Sequence, residues 1–219
     1  MTKNSYQVML FDCDGVILNS NYIKTEAFYK VASSYGKKNA QDLVDYHLKN
    51  GGISRYVKFE YFLNEILGFP SFDNHSINNL LNSYSKIVKQ SLLKCDVATD
   101  IHKLRKLTSS SNWAVISGGD QNELREVFLK RGLSHYFDLG IFGSPLNKFE
   151  IIETKFPNLS KIKSLFIGDS IYDYEISKKF NLDFIFLTDW SDIDETDLFL
   201  KKNKITMRQN LTSLLDSFQ

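Results

Sequence analysis

An apolar run, Val8-Met9-Leu10-Phe11, ends in Asp12-Cys13-Asp14-Gly15, and this junction constrains the chain more than any other stretch. A short apolar run bounded by a turn signal reads as a buried strand. In a parallel α/β sheet, ligands bind outside the carboxyl ends of the strands, so Asp12 and Asp14 are expected at such an end. Side chains at i and i+2 of an extended segment share a face, and Gly15 permits a sharp turn behind them. Two carboxylates this close repel unless a cation lies between them or one keeps its proton. A hard divalent cation takes carboxylate oxygens, and a protonated aspartic acid can act as a general acid. Asp and Gly are equally ordinary turn residues. D-x-D-G arises by chance in roughly a few per cent of chains this long, so its meaning depends on what else the chain supplies.

Helical patterning alone follows the glycine. The spacing of Ile23, Ala27, Phe28 and Val31 predicts a helix over 22–35, capped by Ser20 or Asn21. A second is expected over 41–49. A third spans 54–67, with Ser54 as cap, Val57, Tyr61, Phe62, Leu63 and Ile66 facing inward, and Gly68-Phe69-Pro70 as its stop. A fourth spans 76–93. No strand intervenes, so residues 19–95 are expected to form a helical cap inserted into a core made of 1–18 and 96–219.

Beyond residue 95 the rhythm changes. Strands are expected at 113–116, 137–142, 164–167 and 184–187, with an edge strand at 205–207. Helices are expected at 100–107, 121–130, from Lys148 to the residue before Pro157, at 172–180 and at 211–218. Such alternation predicts an α/β fold, a doubly wound parallel sheet.

Composition narrows the function classes. A formal net charge of +1 over 219 residues gives no pull toward nucleic acid or an anionic membrane. Neither cysteine, Cys13 or Cys95, belongs to a C-x-x-C pair, so neither zinc nor a disulfide framework is expected. Cys13 reads as a packing residue on a buried strand. The four histidines, His47, His75, His102 and His135, show no metal-ligand spacing and read as incidental. With no signal peptide and no bilayer-spanning apolar run, a cytoplasmic protein is expected.

Three further strand ends carry polar residues suited to an anionic substrate. Ser117-Gly118-Gly119 offers a hydroxyl and unhindered amides at a strand-to-helix junction, either an anion site or a plain cap with a glycine turn. Lys148 stands at a helix start, where the dipole disfavours a cation. It needs an anion to neutralise, unless it is one more surface lysine. Gly168-Asp169 ends a strand as Asp12 does, and Asp173 follows one helical turn later. Asp169 and Asp173 could be only a cap and its first turn. The coincidence of G-D-x-x-x-D and D-x-D-G on strand ends of one chain is nevertheless on the order of one in a thousand.

D-x-D-G, a strand-end Ser, a Lys and G-D-x-x-x-D, in that order, resemble the motifs of the haloacid dehalogenase-like hydrolase superfamily. The resemblance covers essentially the whole chain. It is to the branch with a helical cap after the first motif, which includes phosphoglycolate phosphatase-like enzymes and beta-phosphoglucomutase. It implies a Rossmann-like core and an aspartyl-phosphate formed on Asp12, with Asp14 as general acid and base. Ser117 would bind the transferring phosphoryl group, and Lys148 would stabilise that group and the nucleophile. Mg2+ would be held by Asp12, the backbone carbonyl of Asp14 and Asp169, with Asp173 in support. The implied activity is a Mg2+-dependent phosphatase acting on a small phosphorylated metabolite, as a monomer or small homo-oligomer, with phosphoglucomutase-like transfer or a non-catalytic binding module as alternatives.

Gly51-Gly52-Ile53-Ser54-Arg55 resembles the G-x-S-R segment of the beta-phosphoglucomutase cap, whose arginine meets a distal phosphate. Arg55 is accordingly expected to bind a second anionic group, with Lys58 behind it. Asn21 and Lys24 follow the first motif closely enough to line the cleft, and Gly118 offers it a backbone amide. No histidine matches the mutase's hinge-side position, which favours a phosphatase over a mutase.

Overall fold

Val8–Phe11 is buried along its whole length and forms β1, the strand from which the sheet extends on both sides. Met9, Leu10 and Phe11 are fully buried, and such burial contributes about 2 kcal/mol per large apolar side chain. The computed structural model describes residues 6–69, 71, 73–192 and 196–218. Pro70, expected as part of a helix stop, lies outside them.

After β1 come α1 (Asn21–Ala32), α2 (Lys37–Lys49), α3 (Arg55–Tyr61) and α4 (Asn74–Leu92). They are followed by α5 (Ile101–Leu107), β2 (Asn112–Asp120), α6 (Gln121–Lys130), β3 (Gly140–Ser144) and α7 (Lys148–Lys155). The chain closes with β4 (Ser164–Gly168), α8 (Ile171–Lys179), β5 (Asp183–Leu187), α9 (Thr196–Lys202) and β6 (Thr206–Arg208). The six strands form one sheet in the order β3-β2-β1-β4-β5-β6, every pair parallel. Strands buried on both faces read as continuous apolar runs, which is why β1 and β4 were legible. Odd and even positions separate onto two faces. Met9, Phe11, Trp113, Val115, Leu165 and Ile167 pack on one side; Val8, Leu10, Ala114, Ile116 and Phe166 pack on the other, against Ile151, Ile152 and Ile176 of the flanking helices. None of the described helices is long and apolar enough to cross a membrane.

Helices α1 to α4 occupy the stretch between β1 and α5 without an intervening strand. The chain leaves and re-enters the sheet domain side by side: Leu18 and Val97 form an antiparallel bridge, and the Asn19 amide donates to the Asp96 carbonyl at 3.0 Å.

Several expectations are corrected. Val57 is 45% exposed rather than inward. The face of α3 that turns in carries Arg55, Lys58 and Phe59; Phe62 and Leu63 are buried as expected, but the π-turn they belong to breaks the helical period that linked them to Val57. The third helix ends as α-helix at Tyr61 and continues as one π-turn, Phe62–Ile66. The third strand lies at Gly140–Ser144, not 137–142; Phe137 instead packs below it in the core, after a 3-10 turn at Ser134–Tyr136. Ser20 makes no capping bond to α1, since its hydroxyl is engaged elsewhere. The last helix, expected over 211–218, is 3-10 over Thr212–Ser217, and α9 falls where no helix was expected.

Candidate active site

The ends of β1, β2 and β4 meet where the strand order turns from one side of β1 to the other, the position at which open α/β sheets bind ligands. Register brings the partners together: Phe11 is level with Ile167, and the Asp12 amide donates to the Ile167 carbonyl at 2.9 Å. Asp12 is therefore beside Asp169. Gly15, at φ 71°, turns the chain away. A Cβ there would fall 2.0 Å from Asp169 Oδ2 and 2.7 Å from Asn21 Nδ2, so the two aspartate motifs approach this closely only across a glycine.

Asp12, Asp169 and Asp173 are buried, and each offers a carboxylate oxygen within 4.8 Å of the others. Asp12 Oδ1 accepts the Cys13 amide at 2.7 Å. Asp12 Oδ2 is 2.9 Å from Lys148 Nζ. The same ammonium donates to Asp173 Oδ1 at 2.5 Å, and Asp173 Oδ2 accepts the Ser170 hydroxyl at 2.6 Å. Lys148 is the first residue of α7, whose N-terminus is closed by an Asn147–Glu150 capping box. A cation unfavourable to the helix dipole is held there by two buried carboxylates, with its side chain fully enclosed.

Electrostatics follow from that crowding. Burial pushes Asp12 up to about 7 against the lowering effect of Lys148, with Asp173 and Asp14 adding to the rise. Burial, then Asp12 and Asp173, holds Asp169 well above the usual carboxylate range. Burial alone would lower Lys148, but Asp12 and Asp173 raise it above the ordinary lysine value. Three carboxylates facing one ammonium leave two negative charges without a partner if all ionise. That donor set, all hard oxygen, fits a divalent cation such as Mg2+.

Asp14 is in a different situation. Its Oδ1 accepts the Ser20 hydroxyl at 2.6 Å, and its Oδ2 pairs with Lys24 of α1. Burial would raise it, yet Lys24 and Ser20 outweigh burial and hold it below the usual range. Lys24, expected to line the cleft, does so and is buried on this carboxylate. Asn21 donates to Asp169 Oδ2 at 2.7 Å and to the Trp190 carbonyl at 2.8 Å, so it braces Asp169.

Ser117 is fully buried, and its Oγ accepts the Gly119 amide at 3.0 Å. Gly118 and Gly119 line the cleft, as do Asp12, Asp14, Asn21, Lys24 and Asp169. A Cβ on Gly118 would meet the Gly52 carbonyl at 2.4 Å, so the glycine turn between α2 and α3 sits directly on the end of β2.

Arg55 is found elsewhere than expected. It lines the cleft, but its guanidinium is 4% exposed and committed: Nη2 donates to Glu123 Oε1 at 2.6 Å and Nη1 to Ser85 Oγ at 2.8 Å, over the Tyr84 ring. Glu123 carried no sequence signal for this role, because the pair spans 68 residues. Lys58 and His47, ranked low or set aside from sequence, both line the cleft, as does Asp192. Burial, then Asp14, pushes Asp192 up to about 6. Helix α3's capped start is the signal that would have placed Lys58; nothing in the sequence marks His47 or Asp192.

The chain is similar to several solved structures. A predicted phosphatase from Clostridium acetobutylicum is 21% identical, with 97% of this chain and 98% of that chain covered at a TM-score of 0.73. A predicted phosphoglycolate phosphatase from Haemophilus somnus is 14% identical over 99% and 100% of the two chains at 0.73. CbbY from Rhodobacter sphaeroides, in complex with phosphate, is 13% identical over 97% and 99% at 0.71. At these identities the likeness is one of fold. No curated protein matches the sequence. The model of the haloacid dehalogenase-like hydrolases matches residues 9–187, and with the strand-end aspartates and Lys148 inside that span the chain belongs to this hydrolase family.

Proposed function

We propose that the chain is a Mg2+-dependent phosphatase acting on a small phosphorylated metabolite, a sugar phosphate or sugar-acid phosphate, in the cytoplasm. The observation that carries this is Lys148, buried between Asp12 and Asp173 at the switch point of the sheet. A carboxylate nucleophile splits hydrolysis into two easier displacements. Asp12 attacks phosphorus and forms an aspartyl-phosphate while the ester oxygen leaves with the proton of Asp14. Asp14 then takes a proton from the water that attacks the phosphorus, releasing phosphate and restoring Asp12.

Lys148 and the amides of Gly118 and Gly119 meet charge on the phosphoryl oxygens, and Ser117 fixes the loop that presents those amides. Asp12, Asp169 and the Asp14 backbone carbonyl would hold Mg2+, which when bound neutralises the carboxylates and the phosphate so that one anion can attack another. Asp173, with both oxygens engaged, supports the site through Lys148. Residues 19–95 would act as the cap over the cleft. The names of the fold neighbours, two of them predicted phosphatases and one a phosphate complex, agree with this chemistry. The phosphoglucomutase-like alternative expects Arg55 to meet a second phosphate, and its guanidinium is already neutralised by Glu123.

The test is phosphate release from a panel of sugar and sugar-acid phosphates with Mg2+ and with chelator. Mg2+-dependent release that disappears in folded Asp12→Asn is expected; release by Asp12→Asn, or none from any substrate, overturns the proposal.

A further inference from the structure

The cleft faces three cations on the helical side, and two have counter-charges. Lys24 is paired with Asp14 and Arg55 with Glu123. Lys58 is 2% exposed, and no carboxylate among the described residues stands within ion-pair distance of it. Among the described residues its one hydrogen-bond partner is His47, Nζ to Nδ1 at 2.6 Å, and its ammonium lies 5.6 Å from the centre of the Phe28 ring.

The tautomer of His47 follows from its neighbours. The Thr25 hydroxyl donates to the Asn21 carbonyl at 3.1 Å, since a carbonyl can only accept. Thr25 Oγ1 therefore accepts from His47 Nε2, 3.1 Å away, leaving Nδ1 as the acceptor for Lys58. Burial, then Lys58 and Lys24, holds His47 well below its usual value. A neutral imidazole orients the ammonium and cannot neutralise it. Two of the three N–H donors of Lys58 are left for the cleft.

We propose that Lys58, seated on His47, is the specificity residue through which the helical insert selects a leaving group that carries a carboxylate. This rests on the phosphatase reading of the cleft. An enclosed ammonium without a counter-ion is costly, and a ligand carboxylate supplies the missing charge together with acceptors for both free donors. The one unpaired cation facing the cleft among the described residues matches the single charge of a carboxylate, whereas a second phosphate, at about −2, needs a further cation, and Arg55 is already held by Glu123. Burial, then Lys24, pushes Lys58 down to about 7, with Asp14 and Asp192 working against that fall; a ligand carboxylate beside Nζ would raise it again and hold the ammonium charged.

The experiment compares 3-phosphoglycerate with glycerol 3-phosphate, which differ by a carboxylate in place of a hydroxymethyl group. Calorimetry is done with Mg2+ on the full chain carrying Asp12→Asn, expected not to turn over, with and without Lys58→Met or Lys58→Arg. We expect 3-phosphoglycerate to bind at least about tenfold more tightly, the worth of one charge-assisted hydrogen bond. Lys58→Met should remove that preference and Lys58→Arg retain much of it. Equal affinities, no measurable binding, a preference that survives Lys58→Met in a folded chain, or an equal loss for both ligands overturns the proposal. Tighter binding of glucose 1,6-bisphosphate than of 3-phosphoglycerate overturns the carboxylate assignment. Absence of phosphate release by the unmodified chain would sink the phosphatase reading, while the binding comparison still decides the role of Lys58.

Discussion

Arg55 and Glu123 are joined by two hydrogen bonds, at 2.6 and 3.2 Å, across 68 residues of sequence, tying the first turn of α3 to the first turn of α6. Tyr56 adds a bond to Asp120 at 2.9 Å, and Lys89 of α4 meets Glu126 of α6 at 2.5 Å. Two ion pairs thus join α3 and α4 to α6, and of these two Arg55–Glu123 is the enclosed one. Removing one partner strands a buried charge, which costs about 3–5 kcal/mol. Arg55→Met should therefore lower unfolding stability in urea by roughly that amount, while Arg55→Met with Glu123→Met restores most of it. A double variant no more stable than Arg55→Met would show that the guanidinium acts through its contacts with Ser85 and Tyr84 instead.

Lys148 lies between the nucleophile candidate and Asp173, and no other described cation pairs with Asp12. Lys148→Met removes the donor that meets the phosphoryl oxygens and frees Asp12 from its partner. Loss of one such preorganised donor costs roughly 10²–10³-fold in turnover. At saturating Mg2+, kcat of Lys148→Met should fall by at least that range, with circular dichroism unchanged. Turnover within tenfold of the unmodified chain would place the catalytic charge elsewhere.

Strand ends were legible because three features coincide there: an apolar run, a glycine and a carboxylate, as at Phe11-Asp12 and Ile167-Gly168-Asp169. Lys148 was legible as an anomaly, a cation at the wrong end of a helix dipole. What was hidden is pairwise and long-range. Glu123 sits on the surface-patterned start of α6, and only the packing of α3 on α6 makes it a buried counter-ion. Val57 and Lys58 differ by one residue, so a small error in the phase of α3 exchanged an outward valine for an inward lysine. His47 is an ordinary helical residue until Lys58 and Thr25 of two other helices close around it. Periodicity reports the face of a helix, not the charge that meets it from across the cleft.

Lys24 holds Asp14 ionised, which suits a base that takes a proton from water and works against an acid that must first deliver one. Replacing Lys24 by Met leaves burial as the dominant influence, and burial raises a carboxylate. The Asp14 pKa then rises, so the form able to accept a proton appears only at higher pH. The acidic limb of the kcat profile should shift upward in Lys24→Met, at saturating Mg2+ and substrate. An unshifted limb, with activity merely scaled down, would assign Lys24 to substrate binding rather than to tuning Asp14.

Metal affinity should depend on pH in a direction set by Asp12 and Asp169. Both are raised in the metal-free chain, Asp12 to about 7 and Asp169 well above the carboxylate range. Binding of a divalent cation requires the ionised form of each, so protons compete with the metal. As pH rises through 7, the folded chain loses the proton on Asp12, and the competition weakens. Each displaced proton makes affinity rise up to about tenfold per pH unit below the pKa and level off above it. Titration with MgCl2 at pH 6 and pH 8 should therefore show tighter binding at pH 8, proton release into the buffer at pH 6, and a larger Mg2+-induced rise in Tm at pH 8. The same raised carboxylates bind more protons folded than unfolded between about pH 4 and 7, so they destabilise the metal-free fold as pH rises through that window. Asp12→Asn removes one of them and should flatten both trends. A Mg2+ affinity that is independent of pH from 6 to 8 would mean that the cation does not displace protons from this cluster, and its site would have to lie outside Asp12 and Asp169.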